Sequence, residues 1–385
     1  MKLSRVRCAV PRRWAWRRAA LRHHADPMAP SPVSASPGPL RYPAPLCPGE
    51  RIVVTAPSSG VLPALHARLE LVIGPLRNQG FTVEEGRCLR DEQRSASAPA
   101  AERAAELMRH LLRDDVAAII PPWGGELAIE VLDRLDWTAL ARARPKWALG
   151  YSDTSTWLLP LTLRLGWATA HGPCLMDLAP GQPDPLTQGA LATLATPAGG
   201  HFTQRQSERW QSKWTDFARV PDATYQLTEP TRWWALRSEP ALRLRGRLIG
   251  GCLDTLMHTA GSGHGDVAAF IAQCKARGEG VLLYLENAEL SPTELVRALH
   301  RLRWAGWLQG LAGLLIGRSA APDSTAVESL RYAQALEQSL DGLPCPVLVD
   351  MDIGHRPPQL LLVNGALAEV AWSAQAGGRV EQWLV

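Results

Sequence analysis

The stretch KWALGYSDTSTWLLPLTLRL at residues 146–165 decides the fold of this 385-residue chain. Its first part, Lys146–Gly150, is a short apolar run that predicts a buried strand, and its last part, Thr154–Leu165, predicts a helix. The turn between them, Tyr151-Ser152-Asp153, is therefore a sharp passage from the end of a strand into the start of a helix. Strands that alternate with helices in this way indicate a parallel sheet covered by helices on both faces.

The same alternation runs upstream of this turn. The predicted strands are Arg51–Ala56, Phe81–Glu84 and Val116–Pro121, and the predicted helices are Leu62–Gln79, Ala101–Arg113 and Leu127–Leu135. We therefore expect an N-terminal α/β domain over residues 46–180. The segments PSSG (57–60), WGGE (123–126) and YSD (151–153) follow its strands, at the carboxyl ends where open α/β sheets place their sites.

The amino-acid composition changes on both sides of this domain. Residues 1–45 are rich in Arg and then in Pro, Ser and Ala, which predicts a disordered or extended tail. Residues 181–245 are rich in Pro, Gly, Thr and Gln and hold a tryptophan cluster, so we expect a connecting segment. Residues 246–385 resume with short strands around one clear helix at 292–305, which predicts a β-rich α/β domain at the C-terminus.

Composition excludes several classes of protein. Apolar residues make up 46% of the chain and charged residues 20%, as in soluble globular proteins, and no apolar run approaches the roughly 18 residues of a membrane helix. The net charge of +4 arises in the first 50 residues, which carry nine basic and two acidic groups, so the remainder is slightly acidic. We therefore expect neither a membrane nor a nucleic acid polymer as a partner.

The seven cysteines point to reduced thiols rather than to a metal site or a disulfide frame. Their number is odd and no C-x-x-C pair is present. No zinc signature such as H-E-x-x-H appears either. We expect a cytoplasmic protein that needs no metal and no organic cofactor. We interpret five of the cysteines as packing residues, namely Cys88, Cys174, Cys252, Cys274 and Cys345.

Four features could carry chemistry, each with a structural alternative. Ser152 on the strand-to-helix turn is a candidate nucleophile, although Ser152 or Asp153 could simply cap the helix. The glycines at 124 and 125 allow a close backbone approach to a ligand, or only a tight turn. Glu286 closes the apolar strand at 281–285 and could orient a histidine, or be an ordinary loop acid. His355 in a Gly- and Pro-rich loop is a candidate general base, with His171 as its competitor.

Six motifs taken together resemble the LD-carboxypeptidase family of serine peptidases, which includes murein tetrapeptide carboxypeptidases and microcin C self-immunity peptidases. The resemblance covers residues 46–372. The motifs occur in the family's order: PPWGGE (121–126), GYSD (150–153), HGP (171–173), GRLIGG (246–251), LYLEN (283–287) and GHRPP (354–358).

The resemblance implies a fold and a mechanism. The fold is an N-terminal flavodoxin-like parallel sheet with helices on both faces, followed by a C-terminal β-rich α/β domain. The catalytic residues are Ser152 as nucleophile, His355 as base and Glu286 as its orienting partner, with oxyanion donors from Gly124 or Gly125 and from Asp153. The site would lie between the two domains, and family members are commonly homodimers.

Two departures from the family pattern concern substrate contacts. Trp123 stands where many members have an Arg, and Cys252 follows GRLIGG where many have an Asn. We expect a small peptide or an aminoacyl-nucleotide as substrate, which corresponds to murein recycling or to microcin immunity. Aromatic stacking on a base would favour the nucleotide, while core or dimer packing is the alternative. The candidate contacts are Trp123, Trp210, Trp214, Trp233 and Trp234.

A third possibility belongs to another functional class. A protein of this fold could bind a small molecule or peptide and have lost catalysis. All three residues of the implied triad are present, which favours an enzyme.

Overall fold

Residues 39–385 are described by a computed structural model, and the predicted tail at 1–45 lies almost entirely outside the described residues. The strands are β1 Arg51–Val54, β2 Thr82–Glu85, β3 Ala118–Ile119, β4 Trp147–Gly150, β5 Thr169–His171, β6 His201–Arg205, β7 Arg209–Trp210, β8 Glu229–Pro230, β9 Trp234–Ala235, β10 Ala241–Cys252, β11 Val281–Glu286, β12 Gly313–Gly317, β13 Val347–Met351, β14 Leu362–Asn364, β15 Leu367–Ser373 and β16 Gly377–Trp383.

Helices cover both sheets. They are α1 His66–Asn78, α2 Ala100–Leu112, α3 Ile129–Leu132, α4 Trp137–Arg142, α5 Ser155–Leu165, α6 Pro185–Gln188, α7 Ala190–Leu194, α8 Leu253–Thr259, α9 Val267–Ala276, α10 Pro292–Trp304 and α11 Tyr332–Ser339. Short 3₁₀ turns lie at Pro63–Leu65, Ser152–Thr154 and Leu175–Asp177. Within the described range, no helix combines the length and the hydropathy that a membrane span requires.

The first sheet has the order β14-β5-β4-β3-β1-β2. Strands β1 to β5 are parallel and follow the flavodoxin-like order 2-1-3-4-5, which confirms the predicted parallel sheet. Helix α1 packs on one face, while α2 and α5 pack on the other. The edge strand β14 is antiparallel to β5, although it comes from near the C-terminus of the chain.

The second sheet has the order β6-β16-β15-β10-β11-β12-β13-β9. Its centre, β10 to β13, is parallel, and its flanks are antiparallel. The segment at 181–245, expected only to connect, supplies both edge strands, β6 and β9. The β-rich character expected for the C-terminal part is confirmed.

Helix α5 joins the two halves of the core. Its residues Trp157, Leu158 and Leu161 pack in the core of the first sheet. Leu159 and Leu163, on its other side, pack in the core of the second sheet. Because Ser152 opens the 3₁₀ turn that leads into α5, the helix fixes the position of that residue relative to both sheets.

Candidate active site

Ser152 lies on a strained turn at the carboxyl end of β4. Its backbone φ is +60°, in the left-handed region that costs a non-glycine residue about 1–3 kcal/mol. Tyr151 before it is extended, and the 3₁₀ turn Ser152–Thr154 leads directly into α5. This turn holds the Ser152 side chain at the surface of a cavity instead of on either face of the sheet.

Two hydrogen bonds connect Ser152 to the loop between β13 and β14 and to the end of β11. Nε2 of His355 lies 3.0 Å from Oγ of Ser152, and Nδ1 of His355 lies 2.8 Å from Oε2 of Glu286. The structure thus brings together three residues that are 69 and 203 positions apart in the sequence. A serine, a histidine and a buried carboxylate in this order form the relay used in nucleophilic catalysis.

Gly354 explains why the His355 loop can approach Glu286 so closely. Its φ is +91°, which favours glycine, and a Cβ at this position would lie 2.6 Å from Cβ of Glu286. Any larger residue would push the loop away from β11. The motif GHRPP therefore needs its glycine both for the positive φ and for the close approach to Glu286.

Charge stabilises the protonated form of His355. Burial lowers its pKa, but the charge of Glu286 and the hydrogen bond to it outweigh burial, so the pKa lies above its ordinary value. Burial raises the pKa of Glu286, yet the charge of His355 lowers it below its ordinary value overall. Glu286 is 1% exposed and remains a carboxylate that supports a positive imidazole.

Cys252, which was expected to be a packing residue, is a direct neighbour of Glu286. The two residues are register partners on β10 and β11, and the thiol donates to Oδ2 of Asp254 at 3.7 Å. Burial raises the pKa of Cys252 well above its ordinary value, so the group is a neutral thiol. Its backbone N–H donates to Oγ of Ser155 at 3.0 Å, which ties the end of β10 to the start of α5.

The predicted oxyanion donors lie beside Ser152. A Cβ on Gly124 would lie 2.7 Å from Cβ of Ser152 and 2.8 Å from the backbone nitrogen of Asp153, so these backbones are in contact. Gly125 has a φ of +134°. Neither glycine N–H donates to a protein acceptor within residues 39–385. Both are therefore available to a ligand.

The carboxylate of Asp153 has a structural task. Oδ2 accepts from Oγ of Ser58 at 2.6 Å and from the N–H of Ala128 at 2.8 Å, and Oδ1 accepts from Thr156 at 2.8 Å. These bonds join the loops after β1, β3 and β4. Ser58 was not among the predicted site residues, although its position after a strand, in PSSG, was the available signal.

His171 does not contact Ser152. It is fully buried, its ring packs edge-on to Tyr284 at a centroid distance of 5.3 Å, and its nitrogens have no hydrogen-bond partner among the described residues. Burial lowers its pKa to about 4. His355 instead lies against Tyr151, at a centroid distance of 4.8 Å.

Ser152 and His355 open into a cavity of about 650 Å³ between the two sheets. Loops from both halves of the chain line it. They contribute Ser59, Glu92, Ser95, Gly125, Glu126, Leu127, Ile129, Ser152, Asp153, Thr156, Cys252, Asp254, Thr255, His258, Ala288, Glu289 and His355. Of the acidic members of this lining, Asp153 was predicted as an oxyanion donor and Glu126 lies in the motif WGGE. Glu92, Asp254 and Glu289 were not predicted, because loop acids without a motif carry no sequence signal. Residues 39–385 hold no cluster of metal-ligating side chains.

None of the five predicted tryptophan contacts lines this cavity within the described part of the chain. Trp123 donates its Nε1–H to the carbonyl of Gly60, and Trp214 is exposed. Trp233 and Trp234 donate to the carboxylates of Asp352 and Asp350. Trp210 lines a second cavity of about 340 Å³, together with Arg232, Leu290, Arg318, Tyr332, Asp350 and others.

Comparison with known proteins gives consistent similarities. The LD-carboxypeptidase N-terminal domain matches residues 52–172, and the LD-carboxypeptidase C-terminal domain matches residues 245–370. A Streptomyces coelicolor protein named as a carboxypeptidase is 30% identical over 336 residues, which cover 86% of this chain and 93% of that protein. A Bacillus subtilis protein named as a murein peptide carboxypeptidase is 26% identical and covers 83% of this chain and 88% of its own length.

Similarity also extends to the microcin C7 self-immunity protein MccF of Escherichia coli. The two sequences are 24% identical over 349 residues, which cover 89% of this chain and 96% of MccF. The structure of MccF in complex with glutamyl sulfamoyl guanosine superposes with a TM-score of 0.74 at 22% identity, over 88% of this chain and 98% of that one. This likeness establishes the fold.

Proposed function

The chain belongs to the LD-carboxypeptidase family and is a hydrolase of the serine peptidase type, and we propose that Ser152, His355 and Glu286 form its catalytic triad. The observation that supports this proposal is the pair of hydrogen bonds at 3.0 and 2.8 Å from the two ring nitrogens of His355. No other histidine in the described part of the chain contacts Ser152.

The proposed reaction passes through an acyl-enzyme. Nε2 of His355 accepts the Ser152 proton while Oγ bonds to the carbonyl carbon of a substrate amide. The C–N bond breaks as the imidazolium returns the proton to the leaving nitrogen. Water then attacks the ester, His355 accepts and returns one proton, and the products are a carboxylic acid and free Ser152.

Glu286 and the backbone of Gly124 and Gly125 stabilise charge along this path. Glu286 lies 2.8 Å from the imidazole that becomes positive. The N–H groups beside Ser152 face the position where the carbonyl oxygen becomes negative, and one such donor contributes about 3–4 kcal/mol in characterised enzymes.

A serine-directed fluorophosphonate tests this function. Ser152 of the intact chain reacts covalently, whereas Ser152→Ala gives no adduct and keeps its circular dichroism spectrum. The control Ser329→Ala, which removes an exposed hydroxyl, labels like the unchanged protein. Labelling at another residue would overturn the assignment of Ser152 as the nucleophile, and no labelling would identify a binding protein that shares the fold.

Two substrate classes remain as candidates for this site. A murein tetrapeptide would lose its terminal D-amino acid, as the name of the Bacillus subtilis relative implies for that protein. An aminoacyl-nucleotide would lose its nucleotide-like group, a class represented by the aspartyl sulfamoyl adenosine that MccF binds. In either role we propose a cytoplasmic homodimer.

The second cavity favours the aminoacyl-nucleotide. Arg356, which directly follows His355, lies 5.8 Å from the ring centroid of Trp210, and Leu290 of the second cavity directly follows Glu289 of the first. The planar base of a nucleotide-like leaving group could thus stack on Trp210, close to the cavity that holds Ser152. Incubation with a murein tetrapeptide and with aminoacyl-sulfamoyl adenosine, followed by mass spectrometry, distinguishes the two.

A further inference from the structure

The centre of the loop that carries His355 makes no backbone–backbone hydrogen bonds. Gly354 and His355 lie between β13 and β14, and neither forms such a bond within residues 39–385. The imidazole meets Glu286 and Ser152 through its side chain alone. A displacement of about 1 Å at a reacting group can lower a rate about 100-fold, so the loop needs anchors on either side of this histidine.

Arg318, which directly follows β12, supplies these anchors. Its Nη2 donates to the carbonyls of Arg356 at 3.0 Å and Pro358 at 3.2 Å, and its Nη1 donates to the carbonyl of Asp350 at 3.4 Å. These carbonyls stand before and after His355 in the chain. A planar guanidinium with several N–H groups can hold both arms of a loop in this way, whereas a single donor cannot.

A buried carboxylate fixes the guanidinium in turn. Oδ1 of Asp352 lies 2.7 Å from Nη2 of Arg318, and the two side chains are 0% and 5% exposed. Oδ2 of Asp352 accepts from the N–H of Ser207 at 3.0 Å and from Nε1 of Trp233 at 3.1 Å. Because charge-assisted hydrogen bonds are short and directional, this pair sets the orientation of the Arg318 fork.

The backbone of β12 brings Arg318 against the loop. A Cβ on Gly317 would lie 2.3 Å from the carbonyl oxygen of Ile353, so the end of β12 and the start of the loop are in direct contact. The N–H of Arg318 donates to the carbonyl of Met351 at 3.1 Å. The position of the guanidinium therefore follows from strand packing and from its hydrogen bonds together.

We propose that Arg318 is a positioning residue of the reaction, which holds the His355 loop so that the imidazole stays within hydrogen-bond distance of Ser152. This inference rests on the proposed roles of Ser152 and His355. Arg318 acts through the loop, and neither of its contacts with the loop involves the reacting atoms. The alternative is a residue that stabilises the fold without affecting the reaction.

The second cavity gives access to the position of this side chain. Arg318 lines that cavity, and its guanidinium carbon lies 5.5 Å from the ring centroid of Trp210. The exposed residues Arg232 and Asp323 also line it, so the cavity reaches the protein surface. A small cation can therefore enter the space that a truncated Arg318 leaves.

Removal and replacement of the guanidinium test the proposal. We expect Arg318→Ala to lower the second-order rate of Ser152 labelling by a fluorophosphonate about 100-fold, because the loop loses its three carbonyl anchors. Methylguanidinium at about 50 mM should restore the rate about 10-fold through the second cavity. Methylammonium has the same charge without the planar fork, so it should restore the rate less than about 2-fold.

A second variant covers the case in which Arg318→Ala does not fold. Truncation of Arg318 leaves the buried carboxylate of Asp352 without its cation. The double variant Arg318→Met with Asp352→Asn removes both charges and retains side-chain volume, so we expect a native circular dichroism spectrum. Its labelling rate should also fall about 100-fold, since a thioether donates no hydrogen bond to the loop.

The pH profile of labelling distinguishes positioning from stability. In the unchanged protein the rate falls as the pH drops through the pKa of His355, which the charge of Glu286 raises above 6.5. When the loop is released from Arg318, His355 moves away from Glu286 and the acid limb shifts to lower pH. A folded variant that has lost only stability keeps the limb in place.

Arg303 provides a matched control. Its Nη2 donates to the carbonyls of Ser339 at 2.6 Å and Asp341 at 3.4 Å, which lie outside the His355 loop. We expect Arg303→Ala to keep both the labelling rate and the acid limb. Folded Arg318 variants that label at the unchanged rate, or methylguanidinium that restores the rate no better than methylammonium, would overturn the proposal. An unchanged protein that is not labelled at Ser152 would instead remove the catalytic pair on which it rests.

Discussion

Ser152 holds its backbone at a φ of +60°, a conformation that only Ser95, at +59°, shares among the residues that line the cavity. Side-chain identity and backbone conformation are in conflict at this residue. A serine is required for the proposed chemistry, while the turn from β4 into α5 favours glycine. The strain is maintained because both flanking elements are buried and fixed.

This conflict predicts that Ser152→Gly is more stable than Ser152→Ala. Glycine releases the left-handed strain, whereas alanine keeps it, so we expect a difference of about 1 kcal/mol in the free energy of unfolding. Urea denaturation of both variants measures it, and both are inactive towards the fluorophosphonate. An alanine variant as stable as the glycine variant would show that the turn is unstrained.

The charge of Glu286 sets the pH dependence that we expect for the reaction, because it raises the pKa of His355. His355 must be neutral to accept a proton, and its raised pKa makes kcat/KM fall as the pH drops through a value above the ordinary 6.5. In Glu286→Gln the charge that raises this pKa is gone while burial remains, so the acid limb moves to lower pH. We also expect kcat to fall about 10²- to 10⁴-fold. The exposed control Glu328→Gln leaves the profile in place, and an unmoved limb in Glu286→Gln would contradict the role of this carboxylate.

Among the secondary-structure elements, strand β14 links the first sheet to the second. Its Asn364 accepts from the N–H of Gly250 at 3.1 Å and from the hydroxyl of Tyr284 at 2.8 Å, and it donates to Oγ1 of Thr169 at 3.1 Å. One buried amide therefore links β10 and β11 of the second sheet to β5 of the first. The Glu286 strand is held against the Ser152 sheet through it.

Replacement of Asn364 by Ala should destabilise the protein by about 3 kcal/mol. The change removes the acceptor of the Gly250 N–H and of the Tyr284 hydroxyl, and each unsatisfied buried group costs about 1–3 kcal/mol before relaxation. Thr169 keeps its hydrogen bonds to Thr162 and to the carbonyl of Leu158. Thermal unfolding monitored by circular dichroism provides the measurement, with the exposed Gln375→Ala as a control that stays within about 0.5 kcal/mol. A loss below about 1 kcal/mol would mean that the sheets are held together by apolar packing alone.

Elements with local signals were predictable from the sequence, and those defined by distant pairing were not. The strand, turn and helix at 146–165 follow from composition and periodicity, as does the apolar strand that ends at Glu286. By contrast, β6 and β9 are edge strands whose partners, β16 and β13, are more than 100 residues away. A strand of two to five residues carries no local sequence signal that identifies so distant a partner. Residues 181–245 were therefore predicted only to connect the two domains.

The site divides in the same way. Ser152, Glu286 and His355 lie in motifs whose order carries information, and the structure brings them into contact. The acids of the cavity and the thiol beside Glu286 depend on register and loop approach. The tryptophans were predicted as substrate contacts only because they are aromatic. Residue type alone does not determine whether a side chain such as Trp233 faces a ligand or is buried in the core.

For the whole molecule, the lowered pKa of His171 makes the free energy of unfolding depend on pH. Its pKa is about 4 in the folded protein and near 6.5 in an unfolded chain, so the unfolded state binds a proton first and stability falls as the pH drops from 6.5 to 4. His171→Phe removes this loss, about 3 kcal/mol across the window. Urea unfolding at pH 7.5 and 4.5 measures it, since the variant and the unchanged protein should differ more at the lower pH.

Asp177 opposes this effect. Burial raises its pKa to about 6, above the ordinary 3.8, so the folded state binds the proton first and this group favours folding as the pH falls from 6 towards 3.8. The net acid response is the difference between the two groups. A His171→Phe variant with the same pH dependence as the unchanged protein would show that the buried imidazole titrates normally.

The pairing of Leu362–Asn364 with β5 also bears on how the protein is made. A ribosome delivers Ser152, the proposed nucleophile, long before it delivers His355 and the strand that completes the first sheet. Until residue 364 has emerged, the growing polypeptide has an open sheet edge and a hydroxyl without its proton acceptor. If Ser152 is the nucleophile as proposed, competence to attack a substrate is acquired only after residue 364 has emerged, and shorter nascent chains lack it.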